Sequence, residues 1–197
     1  MSSGLVLSVF TLLLPLAWGV AGYNRFVALR NRCENAFAQI DVQLRRRHDL
    51  IPNLVAATRG YLEHERRTLE AVIEARQRVA DASGEARAHP RDPNAIAEFE
   101  RAEATLAGPL GRLIALAESY PELQADETVR RLTDELTTTE NRITFARQAY
   151  NDQAVTYNTG IQSFPASLIA TIFDFRRTAL LRPIEESAQR RAVAVAL

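Results

Sequence analysis

Lysine is missing from this chain. All 24 basic residues are arginine, so every positive charge is a forked guanidinium that stays protonated near neutral pH, and a Schiff-base or general-base lysine is excluded. Cysteine occurs once, as Cys33. An internal disulfide is therefore impossible, and its place in an apolar helical stripe marks a small buried hydrophobe. Net charge is absent too, because 24 acidic residues balance the arginines; nucleic-acid binders normally carry a basic excess, so no nucleic-acid partner is expected. No nucleophile elbow, glycine-rich phosphate loop or internal repeat is found. Histidines number three, and none stands in a Glu-x-x-His pair, so the carboxylate-bridged metal site that helical bundles can host lacks its ligands. The nearest cluster, Glu63-His64-Glu65, splays its neighbours about 100° apart around a helix and reads as solvated surface. No catalytic set, metal, cofactor or small-molecule substrate is expected.

What is present is unevenly distributed. Residues Met1 to Asn24 carry no charged side chain, and Leu5 to Tyr23 is an apolar run with Trp18 and Tyr23 toward one end. A helix needs roughly 20 apolar residues to cross a bilayer, and this run just suffices, with Pro15 able to kink it. A cleaved signal peptide is the rival reading, since Gly19-Val20-Ala21 is an acceptable cleavage site. Against it stand the lack of a basic n-region and the immediate start of a polar helix at Asn24. Residues 1–24 are therefore assigned as a retained transmembrane anchor. Arginine asymmetry orients it: none precedes the run, whereas Arg25, Arg30 and Arg32 follow, so the N-terminus faces out and the remainder faces the cytoplasm.

Beyond the anchor, apolar residues recur at helical spacing and strand-like alternation is absent. Phe26, Leu29, Cys33, Phe37, Ile40 and Leu44 form one stripe; Ile51, Leu54, Thr58, Leu62, Leu69, Val72 and Val79 continue it, up to a loop over Ser83 to Asn94. Asp92-Pro93 opens a third helix, which Gly108-Pro109 should kink or interrupt. A turn around Tyr120-Pro121 leads to a fourth, from about Asp126 to Ile161, ended by Phe164-Pro165. A continuous rod from Tyr23 to Val79 would be on the order of 85 Å long, with nothing of matching length to pack on it. A reversal at His48-Asp49 instead gives helices of roughly 35, 45, 40 and 55 Å, matched as an up-down bundle. In that reading Arg45, Arg46 and Arg47 end helix one, where cations favour the helix dipole by ~0.3 to 1 kcal/mol each. Asp49 caps the next helix, and Pro52 occupies its first turn. The same arginine-rich corner is a candidate docking point for a partner.

Two further constellations follow from the bundle. Asn31, Asn35 and Gln39 share one side of helix one, and Asn151 and Asn158 are seven residues apart on helix four, so an inter-helix amide ladder fixing register is expected. Phe164, Leu168, Ile172, Phe173 and Phe175 return to the membrane end and suit a short helix lying in the headgroup region, or one capping the bundle floor.

The residues Asn35-Ala36-Phe37, Gln39-Ile40-Asp41-Val42-Gln43-Leu44 and Arg46-Arg47-His48-Asp49-Leu50-Ile51-Pro52-Asn53-Leu54-Val55, followed by Tyr120-Pro121-Glu122-Leu123, Thr139-Glu140-Asn141 and Tyr157-Asn158, come in an order that resembles the LemA family. The resemblance covers about Tyr23 to Phe175. It implies a bacterial single-pass membrane protein with an antiparallel four-helix bundle and a poorly defined molecular role. Two departures stand out: Phe173-Asp174-Phe175 replaces the family's usual aromatic-glycine-aromatic, and Gly108-Pro109 interrupts helix three. The resulting expectation is an all-α protein with a transmembrane anchor (1–24), a four-helix bundle with a membrane-proximal segment (25–177) and a flexible tail (178–197). It would be a non-catalytic scaffold at the bacterial inner membrane, contacting the lipid bilayer and other membrane proteins or copies of itself. The alternative is an accessory subunit of a membrane protease or phosphatase.

Overall fold

The structure, a computed structural model, describes residues 2–89 and 92–181; for residues 2–12 and Glu63 the description extends to the backbone only. Among these residues every regular element is helical: α1 (Ser2–Thr58), a 3-10 turn (Glu63–Glu65), α2 (Arg66–Ala88), α3 (Pro93–Ser119), α4 (Pro121–Ala125), α5 (Glu127–Gln162) and α6 (Ala166–Ile172). The four long helices alternate in direction. α1 packs along α5 and α2 along α3, while α1 and α2 touch only sparingly. Asp92 and Asp126 start α3 and α5 by accepting from Asn94 N (2.9 Å) and Thr128 N (2.8 Å), the side-chain cap that short carboxylates supply to unpaired helix N–H groups.

The first corner lies elsewhere than expected. α1 is 57 residues long, about 85 Å at 1.5 Å per residue, and passes unbroken through His48-Asp49 and Pro52. The chain reverses after Thr58, where Tyr61 N and Leu62 N both donate to Thr58 O (3.1 and 3.0 Å). Asp49 is therefore an exposed mid-helix residue, not a cap, and Arg45 to Arg47 are too far from the helix end to meet its dipole. A proline inside a helix removes the donor that residue i−4's carbonyl needs. Here that carbonyl belongs to His48, and Arg76 Nε, reaching across from α2, donates to it at 2.8 Å. The missing backbone bond is replaced by a tertiary one, and the helix continues. α3 likewise runs through Pro109 without a break, and α2 extends to Ala88, which shortens the predicted Ser83–Asn94 loop from its start.

α1's far end leaves the bundle. Leu13, Leu14, Leu16, Trp18 and Val20 are all exposed, and burial begins at Phe26. Among the described residues no helix is long and apolar enough to cross a membrane. Leu13 to Tyr23 is only about 16 Å of helix, roughly half a hydrocarbon core. The rest of the predicted anchor falls on side chains outside the described residues.

The core runs the length of the bundle. Ile40, Leu54, Val72, Phe99, Leu113, Leu136 and Ala154 have no exposed surface. Phe37 and Tyr150 meet edge to face with ring centroids 5.5 Å apart. Where Gly160 faces α1, Leu29 approaches closely enough that even a methyl group would crowd it.

Candidate functional site

The stretch Arg45 to His48 sends its side chains to opposite sides of α1, because successive helical residues are about 100° apart. Arg47 turns inward and is 4% exposed. Its guanidinium forks onto Glu103 of α3, with Nη1 donating to Oε2 at 3.2 Å, and onto Glu140 of α5 at 3.4 Å. Nearby Arg147 of α5, also buried, pairs with Glu100 of α3. Two arginines and three glutamates thus tie three helices together inside the bundle. Burial alone would discourage the Arg47 charge, but the facing carboxylates hold it protonated more firmly than water does. Glu140 is pushed above the usual carboxylate range, first by its burial; Arg47 opposes that shift and the neighbouring Glu103 adds to it.

The adjoining face of α1, toward α2, is open, and Arg47 lies at its edge. Between α1 and α2 lies a cleft of about 280 Å³. Asp41 spans it, accepting from Arg45 of its own helix (2.6 Å) and from Arg87 of α2 (3.1 Å). One turn and more further along, Arg76 donates to the His48 carbonyl and approaches His48 Nε2 at 2.6 Å. That contact requires a neutral ring accepting at Nε2. Burial first, and Arg76's charge second, hold the His48 imidazole below its ordinary pKa. Arg46 points to neither side, meeting Glu135 at the surface (3.5 Å).

The amide ladder does not form. Asn31, Asn35 and Gln39 are exposed, while Asn158 donates to Thr178 O and accepts from Thr178 N (2.9 Å each). Asn151 does the same with Leu181 (2.7 and 2.9 Å). These amides mimic a β-ladder partner for an extended segment, 176–181, which they strap along α5 with help from Tyr150 Oη to Ala179 O (2.8 Å) and Tyr157 Oη to Arg176 O (3.0 Å). Residues 178–181, assigned to a flexible tail, therefore belong to the folded body, with Leu181 buried; the predicted tail beyond them, 182–197, lies outside the described residues.

At the end where α1 emerges, α6 buries Ile169 and Ala170 and turns Leu168 and Ile172 outward. Phe164 is 82% and Ile172 74% exposed, and Phe173 is exposed as well. Phe175 differs from the other four: it tucks against Tyr23 and Phe26, at 5.6 and 5.3 Å between centroids, with the Arg30 guanidinium 5.9 Å from its ring. It closes the bundle floor and is not a membrane-facing residue. Between the two aromatics, Asp174 has φ 53°, the left-handed region where glycine is at ease. The departure from aromatic-glycine-aromatic thus falls at a position whose backbone favours the glycine.

Arg76, Arg87, Asp41, Glu103, Glu140 and Arg147 had not been singled out as an ion network. A signal for two of them, and for Arg47, was available: Arg47, Glu103 and Glu140 each sit three or four residues from apolar residues on both sides (Leu44 and Ile51, Phe99 and Leu106, Leu136 and Ile143), so each lies on an apolar stripe. Among the described residues no group of three or more His, Cys, Asp or Glu side chains is placed to hold a metal. Burial, and then Glu34, raise the Cys33 thiol pKa and keep it in its neutral form.

An all-helical body with a buried ion network, an arginine-lined cleft and an apolar end defines a helical-bundle protein. The chain belongs to the LemA family, whose sequence profile matches residues 36–197. It is similar to the magnetosome protein MamQ of Magnetospirillum gryphiswaldense, 26% identical over 188 residues that span 88% of this chain and 69% of the relative. MamQ 1 and MamQ 2 of Paramagnetospirillum magneticum are each 27% identical with the same coverage.

Proposed function

We propose that this protein is a non-catalytic scaffold that rests on the bacterial inner membrane, its α1 arm and its α6 face entering the lipid and its bundle held on the cytoplasmic side for other membrane proteins or further copies of itself. One observation carries the reading: two exposed apolar surfaces meet at a single end of the bundle. Tyr23 of α1 packs edge-on to Phe173 (4.9 Å), so the Leu13–Val20 arm and the Phe164, Leu168, Ile172 and Phe173 face are neighbours. Contiguous apolar surface of that kind marks an interaction or membrane face, and Arg25, Arg176 and Arg177 flank it as headgroup-level cations would. The arm serves as the proposed anchor, continued by the apolar residues that precede Leu13.

Flotation of the full chain with phosphatidylcholine vesicles tests this. Leu14→Asp with Leu16→Asp is expected to weaken flotation, and adding Phe164→Asp and Ile172→Asp to abolish what remains. A fourfold variant that floats as well as the twofold one removes α6 from the membrane and leaves it a bundle cap.

A further inference from the structure

We propose that the cleft between α1 and α2 binds a small organic anion, its carboxylate or phosphate head held by Arg76 within the field of Arg45 and Arg87 and its short apolar tail lying on Leu44, Ile51, Val79 and Leu106. All of these residues line one opening. The charges are unequal: three guanidiniums face one carboxylate, Asp41, once Arg47 is set aside because its charge is met by Glu103 and Glu140. Asp41 holds Arg45 and Arg87 on either side of itself, which fixes their positions without consuming all of their donors, since each guanidinium carries five N–H groups. Arg76, half-buried, is the clearer imbalance. It meets the carbonyl and ring of His48, both neutral, so its charge faces no carboxylate there. A carboxylate or phosphate matches the planar fork of such groups.

The floor beneath the arginines is apolar, and ligand sites combine such a lining with a few placed polar groups. Size sets the class of ligand. About 280 Å³ equals the liquid share of about nine waters at ~30 Å³ each, enough for a compact head and a tail of a few carbons but not for a helix of a partner protein. The wall on α2 is built of Ala80, Ser83 and Gly84. Gly84 lies in continuous helix, has no left-handed φ, and a Cβ placed on it would meet nothing within 4 Å. Neither backbone geometry nor packing explains a residue that weakens helices relative to alanine. An open wall does explain it.

The experiment titrates the full-length protein, in a neutral-headgroup detergent, with hexanoate, butyl phosphate and inorganic phosphate, by calorimetry and by the Arg Nε–H resonances. Saturable binding of a tailed anion is expected, with inorganic phosphate weaker by about tenfold for every two methylenes buried. The tailed ligand that binds more tightly identifies the head. Gly84→Leu fills the cleft and leaves every arginine in place; it is expected to lose tailed-anion binding at least tenfold while its thermal midpoint is unchanged or higher. Undiminished binding by Gly84→Leu, or equal affinity for inorganic phosphate and the tailed anions, overturns the proposal, the second by reducing the site to diffuse arginine charge. No saturable binding of either tailed anion overturns it as well. None of these outcomes bears on vesicle flotation, so the cleft and the membrane reading stand or fall separately.

Discussion

The two sides of α1 handle charge in opposite ways. Toward α3 and α5, Arg47 is enclosed, and each of its flanking carboxylates belongs to a different helix. Toward α2, Arg45, Arg76 and Arg87 line an opening, where Arg45 and Arg87 share a single aspartate and Arg76 meets His48. The side chains are the same kind; what differs is how closely the neighbouring helix approaches. Where α1 and α5 pack along their length, an ion has no water and must be neutralised by protein. Where α1 and α2 barely touch, a guanidinium can stay hydrated or take a ligand. The first arrangement specifies how helices align, and the second leaves binding capacity unused by the fold.

The strongest way to break that contrast is to uncover the enclosed side. Arg47→Met strands Glu103 in the interior beside the half-buried Glu140, and removing one partner of a buried ionic group costs about 3 to 5 kcal/mol. Denaturant unfolding of the full chain should show a loss of that order. Adding Glu103→Gln and Glu140→Gln should return most of it, because no uncompensated charge then remains. The penalty in Arg47→Met should also deepen with rising pH. Glu140 already titrates above the ordinary carboxylate range through burial, and without Arg47 it rises further, so the folded variant keeps a proton that the unfolded chain has released; the penalty grows as pH rises from the ordinary carboxylate range and levels off once Glu140 ionises in the folded state. A single variant within ~1 kcal/mol of wild type would mean that water reaches the network and that the two sides of α1 are alike.

What could be read from the sequence, and what stayed hidden in it, divides along the same line of local against distant partners. The helices, the cap at Asp92, the start near Asp126 and the apolar stripe from Phe26 to Leu44 were legible, because period and capping depend on residues within a turn or two. The corner was misplaced because Pro52 looks like a helix start, and only Arg76, on the far side of the reversal, shows why it can sit mid-helix. Asn151 and Asn158 were rightly seen to share a face. Their partners are backbone groups of 178–181, a segment with no period to betray it. Of the foot, Phe164, Leu168 and Ile172 are exposed together, whereas Phe175, which the same spacing grouped with them, is drawn inward past the left-handed turn at Asp174.

Arg76 tests the open side with a smaller effect. Arg76→Met removes the donor that replaces Pro52's missing N–H, leaving the His48 carbonyl unpaired, at a cost of about 1 to 2 kcal/mol. Pro52→Ala restores a backbone N–H able to bond that same carbonyl within the helix. The double variant should recover most of the loss, and the double-mutant cycle should give a coupling of about 1 kcal/mol between residues on different helices. Additive effects would show that the contact at 2.8 Å contributes nothing and that α1 tolerates its proline unaided.

The faintest signal is a pH slope from His48. Its folded pKa is depressed by burial first and by Arg76's charge next, with Arg47 acting the same way and Asp49 opposing. As pH falls through the ordinary imidazole range, near 6.5, the unfolded chain takes up a proton that the folded chain refuses. Stability therefore declines as pH drops through that range and levels off once His48 protonates in the folded state. Above neutrality the effect vanishes. His48→Gln cannot titrate, so the stability difference between wild type and variant should shift against wild type between about pH 7.5 and about pH 5, while His64 and His89 cancel because both proteins carry them. An anion seated among the cleft arginines lies beside the same ring and offsets Arg76's field, so a saturating tailed anion should flatten the wild-type slope. A slope untouched by ligand would place any bound anion away from His48, at the Arg45 and Arg87 end of the opening.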